Sequence, residues 1–172
     1  MQQAYPTSRG GAPAPPLPPL VPALEPERLG DAATLSGVEI RIGAWAYVVC
    51  DLEPFGAPRT ESRGCSGIPF APVDGPRLEG QLLALPRSRV DWLHFLLEAP
   101  EPLELELVLC YRGGIDPEHV LVVPDDHGLA ELRVGAARRD ELRGLRLPRA
   151  PEARLVALTV ARRRPTRPVV VD

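Results

Sequence analysis

Between Leu103 and Tyr111 the chain reads Leu-Glu-Leu-Glu-Leu-Val-Leu-Cys-Tyr. Wound as a helix, these leucines would scatter around the cylinder. Extended, a period of two gathers Leu103, Leu105, Leu107, Leu109 and Tyr111 on one face and turns Glu104 and Glu106 to water. A strand with one apolar face needs a second layer to cover it. This segment therefore commits the chain to sheets that pack on one another or close on themselves.

The same period recurs along the chain. Val38-Glu-Ile-Arg-Ile42 alternates strictly, which predicts one buried and one wet face, and Gly43 punctuates it. Ala44 to Cys50 places Trp45, Tyr47 and Val49 on one face and Ala46, Val48 and Cys50 on the other. Residues 51–66 read as loop, 67–70 as a short strand and Gln81 to Leu85 as another. Val90 to Glu98 sets Leu93, Phe95 and Leu97 against Trp92, His94 and Leu96. Further strands are expected at 120–123, 129–134, 142–147 and 153–161, with a turn at Arg112-Gly113-Gly114 and a helical turn possible at 136–143. Proline, 22 of 172 residues, is too frequent for a helical bundle, because each one removes a donor and breaks helix interiors. The expected fold is all-β: an antiparallel, jelly-roll-like sandwich of about eight or nine strands, with a barrel as the alternative.

That sandwich spans residues 36–161. Residues 1–30 form a disordered proline-rich arm, with Ala12-Pro-Ala-Pro-Pro-Leu-Pro-Pro-Leu-Val-Pro22 favouring extended polyproline II. Such a run serves as a spacer or as a docking peptide for an aromatic groove. Residues 162–172 form a basic, flexible tail. All 20 cations are arginine; residues 1–132 carry 9 of them against 19 acids, and residues 133–172 carry 11 against 4. Complementarity between strands accounts for this asymmetry, and a basic face for an acidic partner is the alternative.

No signature of catalysis or of a cofactor stands out. Cys50, Cys65, Cys110, His94, His119, His127, Asp125 and Asp126 are the candidate metal ligands, but no C-x-x-C, H-x-x-x-H or EF-hand spacing joins them. Cys50 and Cys110 sit in apolar strand patterns and read as reduced core thiols. There is no G-x-S-x-G around Ser66, and Gly10-Gly11 and Gly113-Gly114 match no phosphate loop. The expectation is a non-enzyme with no metal and no cofactor. The arginines of the tail lack interleaved aromatics, which argues against a nucleic-acid partner. No run reaches 18 apolar residues, so no membrane helix is expected; with no export signal visible, a cytoplasmic location is expected, and a non-classical route to the exterior stays open.

Trp45, Tyr47 and Trp92 are three of only eight aromatics, and all fall on expected strands. With His94 they form the candidate ligand-binding set, since aromatic platforms stack on sugar faces. The same residues could instead fill a core or an interface. The stretches Leu83-Ala-Leu-Pro86, Trp92-Leu-His-Phe-Leu-Leu-Glu-Ala99, Tyr111-Arg-Gly-Gly114, Leu145-Arg-Leu-Pro148 and Leu155-Val-Ala-Leu-Thr-Val160 follow one another in a telling order. That order resembles the β-sandwich, galactose-binding-like modules associated with bacterial glycoside hydrolases. The resemblance covers residues 36–161, implies non-catalytic carbohydrate association and carries over no binding residues. The expected partner is a glycan or a protein, the latter in a structural or adaptor role with the arm docking on a neighbour.

Overall fold

The structure, a computed structural model, describes residues 32, 34–59, 67–136 and 140–165. The proline-rich arm, Cys65, Ser66 and the tail from residue 166 lie outside the described residues, as do residues 137–139 of the expected helical turn. Among the described residues the chain forms ten strands and no α-helix. The strands are β1 (Gly37–Ile42), β2 (Trp45–Cys50), β3 (Arg77–Glu79), β4 (Leu82–Ser88) and β5 (Trp92–Glu98), followed by β6 (Leu103–Tyr111), β7 (Gly114–Val122), β8 (Leu129–Gly135), β9 (Leu142–Arg146) and β10 (Arg149–Arg163).

The pairing is nested. β6 pairs with β7 across a two-residue turn, β5 with β8, β4 with β9, and β2 with β10, all antiparallel. The chain behaves as one long hairpin folded at Arg112-Gly113 and then rolled up. Rolling yields two sheets, ordered β1-β2-β10-β5-β8 and β4-β9-β6-β7, with β3 pairing on β10. This is the strand order of a jelly roll, extended at one edge by the β1–β2 hairpin. Gly43 opens the turn of that hairpin at φ +58°, a left-handed conformation that favours glycine.

The core lies between the sheets. Leu93, Phe95 and Leu97 of β5, Leu158 and Val160 of β10 and Cys50 of β2 face Leu105, Leu107 and Leu109 of β6, Leu142 and Leu145 of β9 and Leu83 and Leu85 of β4. The predicted face of β6 is the buried one, and Glu104 and Glu106 are exposed.

β3 was not expected, and four further elements depart from expectation. β1 has no buried face: all six of its residues are exposed, because it is an edge strand that the second sheet does not reach. β7 begins at Gly114 and runs through Pro117, which an edge strand tolerates since its missing N–H points to no neighbour. Residues 67–70 are not a strand; they cross the outer face of the larger sheet. β10 continues through Arg162 and Arg163, so the start of the basic tail is sheet, and Arg164 N–H donates to the Ala44 carbonyl at 2.8 Å.

Candidate functional site

The four residues expected to bind ligand share one surface, the outer face of the larger sheet. Register explains why. Ala161 of β10 stands opposite Tyr47 on one side and Trp92 on the other, and Thr159 stands opposite Val49 and His94. Trp45 sits opposite Arg163 on β10 and Ile42 on β1. Directly opposed residues share a face, so Trp45, Tyr47, Trp92 and His94 all turn away from the core.

Small side chains on β10 shape this face. Ala157, Thr159 and Ala161 are fully buried and form the floor of a trough between β2 and β5. Those two strands are separated by two strand spacings, or about 9.5 Å. Over so low a floor, the Tyr47 and His94 rings lean towards each other to a centroid distance of 6.3 Å, tilted by 59°. Both are buried. Burial holds the His94 imidazole below its ordinary pKa; the Arg133 cation opposite lowers it further, and Glu131 opposes the shift. His94 is therefore a neutral ring packed on tyrosine.

One end of the trough is closed by the strap of residues 67–72. Thr159 Oγ1 donates to the Pro69 carbonyl at 2.6 Å, and Phe70 packs on Leu96, Val156 and Ala157. At the β8 edge, Trp92 stands opposite Gly135, where a Cβ would come within 3.2 Å of the indole. The ring thus fills the place of the side chain that Gly135 lacks. The Arg133 guanidinium lies over the same ring, 4.2 Å from its centroid. Trp45, half-buried, continues outward into Ile42, Ile40 and Val38 of β1, which are 48%, 38% and 68% exposed.

The register brought in three residues that sequence reasoning did not single out: Thr159, Arg133 and Gly135. The apolar row of β1 was legible as a row, and its exposure was not. The remaining candidates are dispersed. His119 lies on β7 in the other sheet and pairs with Glu106 at 3.3 Å. Asp125 Oδ1 accepts from the backbone N–H groups of His127 and Leu129, so the acidic loop is a hydrogen-bonded turn. Among the described residues, no three His, Cys, Asp or Glu side chains gather as a metal site. The smaller sheet bears an open groove of about 1010 Å³ lined by Glu104, Glu106, Arg146, Arg149 and Glu152, without an aromatic side chain. Among the described residues, no helix is long and apolar enough to cross a membrane. No protein-family model matches the chain, and no curated protein matches its sequence.

Proposed function

We propose that this chain is a non-catalytic interaction module whose binding surface is the outer face of the larger sheet, entered from β1 and Trp45, and whose partner is a protein. The observation that carries this reading is the row Val38, Ile40 and Ile42, exposed together and continuous with Trp45. Isolated surface hydrophobes need no explanation, but a contiguous apolar strip along a sheet edge marks an interaction surface. The trough behind it offers polar atoms sparingly: Thr159 already donates to the strap, and the His94 ring is turned against Tyr47. A sugar platform needs an aromatic face open to the ring it stacks on. Trp92 has Arg133 over it and Gly135 beneath its benzo edge, and Tyr47 and His94 are buried, which leaves Trp45 as the half-open ring. A protein strand or apolar side chains fit this surface better than a glycan.

The test is a photo-reactive amino acid placed at position 38 of the full chain in its native cell, with position 121 on β7 as control; the two are 68% and 60% exposed. The reading expects polypeptide adducts at position 38 and few at 121. Equal adducts at both positions, or a glycan panel that retains the protein through Trp45, would overturn it.

A further inference from the structure

We infer that the occupant of the β1 edge is a second copy of this chain, paired antiparallel β1 to β1 about a two-fold axis at Ile40, so that the larger sheets of two protomers become one. This deepens the interaction reading above and rests on it.

The backbone of β1 is in the correct phase. Asp51 N–H donates to the Ser36 carbonyl at 2.8 Å, and the register continues as Val38↔Val49, Ile40↔Tyr47 and Ile42↔Trp45. In an antiparallel pair, hydrogen-bonded positions alternate. Ser36, Val38, Ile40 and Ile42 therefore turn their N–H and C=O groups towards β2. Gly37, Glu39 and Arg41 turn theirs away, and among the described residues β1 pairs with β2 alone. The outward edge thus carries a row of main-chain donors and acceptors.

The side chains then select both the partner and the register. With Ile40 opposite Ile40 of the second copy, Glu39 falls opposite Arg41, Arg41 opposite Glu39, and Val38 opposite Ile42. Both charge pairs are complementary, and the apolar row meets an apolar row on the same face. Glu39 and Arg41 also occupy outward-bonding positions, so each such pair exchanges two main-chain hydrogen bonds. Shifting to the next register of the same phase sets Glu39 against Glu39 in one direction and Arg41 against Arg41 in the other. The strand is complementary to itself in one alignment and repels itself in its neighbours.

Among the other sheet edges, β4 contains Pro86 and β7 contains Pro117, which remove donors and blunt pairing. β8, at the far side of the same sheet, lacks proline as β1 does and carries Glu131 and Arg133 about Leu132, but its Ala130 and Val134 are buried, so only β1 presents a wholly exposed apolar row. Glu39 already accepts from Arg41 at 2.9 Å and from Arg162 at 3.1 Å, so its carboxylate is held where a second arginine can join it.

The test uses the full chain in sedimentation velocity across a concentration series. Wild type is expected to self-associate. Glu39→Arg alone sets arginine against Arg41, and Arg41→Glu alone sets glutamate against Glu39; each is expected to weaken association by about tenfold or more. An equimolar mixture of the two variants restores both charge pairs in a heterodimer and is expected to recover wild-type association. All of these residues are exposed, so melting temperatures within about 2 °C of wild type show that the fold is intact. A wild type that stays monomeric, variants that associate as well as wild type, or a mixture that fails to recover would each overturn the inference. Adducts at position 38 to a different protein, together with a monomeric wild type, would refute the second copy and leave the interaction reading standing.

Discussion

Truncating Leu109 tests the architecture directly. Leu109 is fully buried in the C-terminal half of β6, opposite Leu145 of β9, inside the core between the sheets. Replacing it by alanine removes three carbons from a packed interior, about 2.4 kcal/mol of transfer free energy at about 0.8 kcal/mol each. The unfilled volume adds a cavity penalty of about 1–2 kcal/mol, so Leu109→Ala is expected to cost about 3–4 kcal/mol. Glu104 lies on the same strand, one face over and exposed, and Glu104→Ala is expected to stay within about 0.5 kcal/mol of wild type. Urea unfolding followed by tryptophan fluorescence reads both. With an m value near 2 kcal/mol per molar, the Leu109 variant should lose about 1.5–2 M from its midpoint. If the variant is too unstable to purify, Leu109→Met, which conserves volume, should fold and cost less than about 1.5 kcal/mol. A loss below about 1 kcal/mol for Leu109→Ala, or an equal loss for Glu104→Ala, would refute the two-layer assignment of this strand.

Three further outcomes follow from the site and the core. Thr159→Val keeps the shape of the side chain but leaves the Pro69 carbonyl without its donor, so it should cost about 1–3 kcal/mol and speed amide exchange in residues 67–72, as read by mass spectrometry. His94 titrates below its ordinary range in the fold, so an unfolded chain takes up a proton that the native state refuses; stability should be flat above about pH 6.5, fall as pH drops below that value, and lose this dependence in His94→Gln, as measured by urea midpoints between pH 5 and 8. Burial pushes the Cys50 thiol up to about 12, so stability should decline as pH rises from about 9 towards 12, where only the unfolded thiol ionises, and alkylation of the Cys50 peptide at pH 8 should proceed at the rate of unfolding.

The fold was legible where a strand is long and its faces differ in chemistry. β6 announced itself because glutamates interrupt its leucines. β3 did not, since Arg77–Glu79 is only three residues long and exists because Arg149 and Ala150 of β10 pair with it from far along the chain. Pro117 hid the first half of β7, because a local rule against proline in strands says nothing about which strands will be edges. The apolar run Ile68-Pro-Phe70 resembled a strand because it too is packed, though on the outer face rather than within a sheet. Parity alone put Trp45 and Tyr47 on one face of β2, and Trp92 and His94 on one face of β5. Which face meets the core could not be read, because both faces of these central strands are apolar. Joining the two pairs required the register through Thr159 and Ala161 of β10, more than sixty residues along the chain from either strand.

β1 turns that difficulty into an argument. β6 alternates because one side is buried: it hides its leucines and turns Glu104 and Glu106 to water. β1 alternates as strictly, yet all six of its residues are exposed. Core packing cannot account for Val38, Ile40 and Ile42, and solubility would favour polar residues at all three. An exposed apolar edge strand is a hazard unless something covers it, and β1 has no proline to blunt its pairing. Its charges are one acid and one base, two residues apart and symmetric about Ile40. A strand whose six residues are all exposed, that has no proline and whose charges complement those of a second copy met in reverse is better explained by an interface than by the fold of a single chain.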